Sequence, residues 1–295
     1  MFRKIAILMA GLLALVFVCG GAGGCGETVF SSSSYYYPNW MPDGRIICSK
    51  VTSTWSSAIW GRKELGDTYY ITAITINNSN EITSEENLFE ISDTAKEITC
   101  SPTGELIAYI ASYPYDKITV SNYLGTSTSV LSGIENVEYL DWSPDATKLV
   151  YSNSDRELHV VNRDGTGDTQ IATSAEAVAW RVGEKLVFED SVYNKLWVSN
   201  SDGSSKEVVV SSLSSKPQVS TTETIVFRGS DNQVKSISIV GTGEALLFSG
   251  YERTTLKLSF DNTKIVGGDL ITGGGSRIGG IWVTNISNGS STQIK

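Results

Sequence analysis

A single histidine, His159, stands among 295 residues, which excludes any mechanism needing a histidine cluster or a His-rich metal site. It fills the slot that Trp197 takes in LWV and Trp282 in IWV, so it reads as a packing position on a strand. A Ser–His–acid hydrolase also lacks a second base. The nearest approach to a nucleophile elbow, Gly274-Gly275-Ser276-Arg277-Ile278, has no closing glycine. Carboxylates are harder to dismiss, because a glycosidase needs only two acids at a suitable separation. Glu138, Asp141, Asp145, Glu189 and Asp190 are the candidates, although Asp145 has turn counterparts in Asp43 and Asp261. The segment 162–168 (NRDGTGD) begins like a calcium loop, yet Thr173 stands where such a loop needs a Glu, so a hairpin turn is expected, matched by Asp202-Gly203. Neither a metal nor a cofactor is expected, and no catalytic residue is assigned.

The elements that would position any site begin with the leader. Arg3 and Lys4 precede an apolar run, residues 5–18, followed by small residues up to Cys25. Fourteen helical residues reach about 21 Å, short of the roughly 30 Å hydrocarbon core, so the pattern is that of a secretory signal. Gly24-Cys25 resembles the lipoprotein signal of bacteria, in which the cysteine is lipidated after cleavage. Simple secretion and an uncleaved anchor are the other readings. All three place the domain outside the cytoplasm, in the periplasm or at the cell surface. Residues 1–24 are therefore expected as a signal peptide and 25–34, rich in Gly and Ser, as a flexible tether. A net charge of -9 argues against a nucleic-acid partner or a broad anionic-membrane face.

From Tyr35 onward the chain repeats itself. WMPDGRIICSK starts at Trp40, CSPTGELIAYIAS at Cys100 and WSPDATKLVYSNS at Trp142; weaker copies start at Trp180, Val219 and Leu258. Each is followed by a β-rich string ending in an Asn/Asp/Gly turn, most clearly LHVVNRDGTG, LWVSNSDGSS and IWVTNISNGS. Asp-Gly turns, flanking Val, Ile, Thr, Tyr and Trp, and the lack of helical periodicity give four short strands per unit of about 40 residues. Six such units predict an all-β fold, a six-bladed β-propeller of four-stranded antiparallel blades over 35–295. The ring is expected to close by packing alone, with Thr28-Val29-Phe30 adding to the final blade as an alternative.

This repeat resembles that of the TolB-like, or WD-like (WSPDG-repeat), β-propeller family. The resemblance covers roughly residues 35–295 and implies a blade rather than any chemistry. The residues ahead of the repeats are too few for the α/β domain that precedes the propeller in TolB, so a propeller without that domain is expected.

Two insertions separate the second and third strands of their units, residues 50–68 in the first and 267–280 in the sixth, and they should rise side by side as loops. The first carries Trp55, Trp60, Arg62 and Lys63, the second Arg277; Trp and Arg are enriched at binding hot spots. The expected role is a non-catalytic protein-binding or scaffold module of the cell envelope engaging an envelope protein through this rim. An envelope polysaccharide or peptidoglycan fragment stacking on Trp55 and Trp60 is the alternative, and a carboxylate-based glycan hydrolase or lyase comes third. Cys48 and Cys100 fall in adjacent units, as two buried thiols or as a disulfide.

Overall fold

The computed structural model describes residues 28–58, 61–112, 115–190, 192–211, 217–229, 231–249, 255–268 and 280–295. All regular structure in them is β, in six four-stranded antiparallel sheets. Blade 1 is β1 (Thr28–Trp40), β2 (Ile46–Ala58), β3 (Gly61–Ile76) and β4 (Ile82–Ile91). Blade 2 is β5 (Ala95–Cys100), β6 (Leu106–Ala111), β7 (Lys117–Asn122) and β8 (Thr128–Val130). Blade 3 follows with β9 (Val137–Trp142), β10 (Lys148–Asn153), β11 (Glu157–Asn162) and β12 (Thr169–Thr173). Blade 4 comprises β13 (Ala175–Val182), β14 (Lys185–Asp190), β15 (Lys195–Asn200) and β16 (Glu207–Val210). Blade 5 runs through β17 (Gln218–Val219), β18 (Thr224–Arg228), β19 (Gln233–Ser238) and β20 (Ala245–Ser249), and blade 6 through β21 (Lys257–Leu258), β22 (Lys264–Gly268), β23 (Ile281–Asn285) and β24 (Ser291–Gln293). The first strand of each blade packs against its counterparts in the neighbouring blades, β21 returning to β1, which is the ring of a six-bladed propeller.

The core is divided accordingly. Six apolar clusters each join two adjacent blades. Strand alternation feeds two of them at once: Leu149 and Tyr151 of β10 face blade 2, while Val150 between them faces blade 4. The repeated Trp serves these seams. Trp142 is 1% exposed, and its indole Nε1 donates to the Thr99 carbonyl of blade 2 at 3.3 Å. Trp40 donates in the same way to the Lys257 carbonyl of blade 6, 3.1 Å away.

The Pro-Asp-Gly corner is a turn in every copy. Asp43, Asp145 and Asp261 each accept from the backbone N–H two residues on, at 3.0–3.1 Å. The next position has positive φ whether it is Gly44 (87°), Ala146 (57°), Glu223 (58°) or Asn262 (59°), so the weak copies keep the turn at some backbone strain.

Among the described residues, closure uses no exchanged strand. Blades 1 and 6 share one cluster, in which Trp40, Ile46 and Cys48 meet Val266, Ile281 and Val283. On its outer side Glu85 of β4 accepts from the Tyr35 hydroxyl at 3.0 Å and pairs with Lys50 at 2.7 Å and with Lys295. Thr28-Val29-Phe30 do not join the final blade: they pair with Ser57, Ser56 and Trp55 of β2. Residues 28–34, expected within a flexible tether, are correspondingly strand, because β2 runs far enough to template them.

Two outcomes test these seams. Trp142→Ala should lower unfolding free energy by about 3–5 kcal/mol in urea titrations, since it removes a fully buried indole. Burial works to raise the Glu85 pKa, but Lys295 and Lys50 outweigh it and hold the carboxyl below its ordinary value of 4.5. The stability it supplies is therefore complete above that value and lost as pH falls through the folded pKa. Glu85→Gln should be less stable at neutral pH and show a flatter melting temperature across the acid range.

Candidate functional site

The candidate acids are bound into the scaffold. Asp141 accepts from the Trp142 and Trp180 backbone N–H groups, both at 2.9 Å, and from the Thr99 hydroxyl at 3.3 Å, so one carboxylate ties three blades. Asp190 is buried and caps a turn through the N–H groups of Val192 and Tyr193. Asp145 belongs to the corner turn. Glu138 is exposed, and Glu189 is half-buried on β14. Within 162–168 the hairpin turn forms as expected: Thr166 donates to Asp164 and Gly165 N–H to the Asn162 carbonyl, repeated at Asp202-Gly203. A side chain at Gly203 would meet the Ile171 carbonyl at 2.5 Å, which requires glycine there. Among the described residues no group of three His, Cys, Asp or Glu side chains is placed to hold a metal.

His159 faces Tyr151 in a stack, centroids 5.0 Å apart, with Nδ1 3.2 Å from Asp168, which also accepts from the Tyr151 hydroxyl. It packs blade 3, opposite Tyr151 in the register, as Trp197 lies opposite Phe188 in blade 4.

Several polar residues at the axis were not singled out from sequence. Lys257 of β21 and Glu97 of β5 form a buried ion pair across blade 1. Asn39 accepts from the Trp40 N–H at 2.8 Å and donates to the Ile98 carbonyl at 2.9 Å, doing for blades 1 and 2 what Asp141 does farther round. Asn39 and Lys257 share with Thr99, Asp141 and Gln218 a place one residue before the repeat's Trp position. The channel mouth they line holds only about 20 Å³. Farther along the axis, burial and then the charges of Glu97, Glu138, Glu176 and Glu189 push the Tyr139 hydroxyl pKa up. Between blades 4 and 5 a 410 Å³ cleft holds Lys235, already flanked by Asp231 and Glu244 at 3.4 Å each.

The first insertion is not a loop. β2 and β3 continue their ladder past the body of the blade, and β1 pairs alongside, whereas β4 covers β3 only from Tyr69 onward. Residues 28–34, 51–58 and 61–68 thus form a three-stranded tongue about 23 Å long, at 3.3 Å per residue. Val, Thr and Trp on β2 favour strand, and the ladder satisfies backbone groups that a loop would leave to water. Trp55 lies between Phe30 of β1, stacked with centroids 6.1 Å apart, and the Arg62 guanidinium of β3, 4.2 Å from its ring. Arg62 also donates to Glu64 at 2.7 Å, and Lys63 is exposed. Trp60, Arg277 and Cys25 lie outside the described residues. The tongue leaves the propeller on the side of the connections between second and third strands, where Tyr115 is 57% exposed, Val192 53% and Tyr193 64%.

The cysteines are not bridged. Both are buried thiols on opposite faces of blade 1, Cys48 in the cluster shared with blade 6 and Cys100 in that shared with blade 2. Burial, then Asp43, pushes the Cys100 pKa up to about 12, and burial raises that of Cys48 as well.

The crystal structure of TolB from Acinetobacter baumannii aligns with this chain at a TM-score of 0.57 and 10% identity, over 88% of this chain and 77% of that one. The likeness is one of fold. No family model and no curated protein matches the sequence. The chain is a TolB-like propeller in architecture, with blade 1 carrying the tongue.

In the folded protein both thiols should resist maleimide and react fully after denaturation, and a non-reducing gel should show no shift. Prompt labelling of Cys48 under native conditions would contradict its burial.

Proposed function

We propose that this protein is an exported, lipid-anchored and non-catalytic scaffold of the cell envelope that binds a protein partner. Cys25 is its lipidation site. The observation that carries the reading is the contrast between the axis and the face on the tongue side. At the axis, the groups that line the channel mouth bond to one another and hold the blades together. On the tongue side, large apolar and aromatic side chains stand exposed: Tyr115 and Tyr193, with Val192 beside the latter. Aromatic residues in such a setting suit a protein interface. The partner is engaged in the angle between this face and the base of the tongue; of the rim candidates, Trp55, Arg62 and Lys63 lie toward the tongue's tip, beyond this angle.

A glycan site would need a tryptophan with an open ring face. Trp55 has a phenyl ring on one neighbouring strand and a guanidinium on the other, so the protein reading leads. The TolB-like fold is compatible with it.

Crosslinked purification of the full chain from native envelopes should recover one protein in stoichiometric amount, reduced at least tenfold with Tyr115→Ser/Tyr193→Ser. Equal recovery with that variant would reject this face, and Cys25→Ser should release the chain into the soluble fraction.

A further inference from the structure

We infer that the tip of the blade 1 tongue rests on the headgroup region of the membrane to which the chain is anchored, and that the tongue holds the propeller off that surface. The inference rests on the anchoring reading above and follows from where the anchored segment joins the fold. Thr28, the first residue of β1, pairs with Ser57, and Ala58 pairs with Gly61, so the chain enters at the tongue's far end and not at the propeller body. Two residues, Gly26 and Glu27, lie between Cys25 and Thr28, a reach of at most about 10 Å when fully extended. A lipid on Cys25 therefore brings the tip to the bilayer. An uncleaved apolar segment 5–18 would approach from the same end.

The side chains at the tip suit that location. By register the tip comprises residues 28–30, 55–58 and 61–64, whose charged side chains are Arg62, Lys63 and Glu64, and Glu27 precedes Thr28. Arg62 is well exposed although it also meets Glu64, and its guanidinium lies over Trp55, which in turn stacks on Phe30. Aromatic rings next to cationic groups are the side chains that favour the membrane–water interface. The propeller face behind carries both signs: Glu135 pairs with Lys117 and Glu176 with Arg156, while Glu138 and Asp155 lie on the same side. Anionic headgroups would attract Arg62 and Lys63, and the length of the tongue sets the face behind about 23 Å from them. A net charge of -9, which disfavours a broad membrane-binding surface, is compatible with contact through a small tip alone.

The test uses the full chain in vesicles of phosphatidylethanolamine and phosphatidylglycerol, with lysine acylation read by mass spectrometry. Lys63 should label several-fold more slowly on vesicles than in detergent, while Lys148, near the corner turn on the opposite side, should not change. Arg62→Glu should restore Lys63 labelling about fivefold, the effect of one cationic group at an anionic surface. Chain that floats with the vesicles but labels Lys63 at the detergent rate would overturn the inference and leave the anchor standing. Chain that does not associate with vesicles would overturn both. Protection found only in native envelopes, and not on pure lipid, would reject the bilayer and assign the tip to a protein.

Discussion

A four-stranded sheet cannot bury both of its faces alone, and each blade here is apolar on both. Every blade depends on two neighbours, and the demand ends only when the sixth meets the first. The six two-blade clusters are the direct expression of this constraint. It also explains the polar residues at the axis. Inner strands converge there, and their backbone groups need partners that no further strand supplies. Asn39 and Asp141 provide them by bonding to their own strand and to the next one, so the packing and the polar bonding close the same joints.

Architecture was legible because the repeat encodes it locally. A Trp before the corner, an Asp in it and a strand after it are all near-neighbour signals, and the turn itself survives in the copies that lack the Trp, with positive φ at Glu223 and Asn262. The axis was less legible. Lys257 and Glu97 lie 160 residues apart, and nothing in either segment announces the other. Read singly, Asp141 looks like a candidate acid. Beside Asn39, at the same place in another copy, it reads as a joint.

The tongue was misread for a related reason. Residues 50–68 are rich in Ser, Thr and charge, which resembles a loop when no pairing partner is in view, and 28–34 looked like a tether on the same ground. Strand structure there comes from three segments adopting one register together. Cys48 and Cys100 show the converse limit: adjacency of blades was inferred correctly, but strand alternation sent one thiol to each face of blade 1. Among the rim residues, Trp55 and Arg62 meet, on strands and not on a flexible loop, while Lys63, between Arg62 and Glu64, alternates to the other face of the tongue.

The Trp40 indole and the Lys257 carbonyl that receives it are 217 residues apart. A ribosome delivers blade 1 long before blade 6, so the nascent protein carries an incomplete joint for most of its synthesis. Tyr35, Trp40, Ile46 and Ile74 remain without their cover during that interval, and the Cys48 thiol waits among them. The last strands to arrive thus complete the fold and also end the period in which that surface is open to aggregation and oxidation. The oldest blade is the last to be protected.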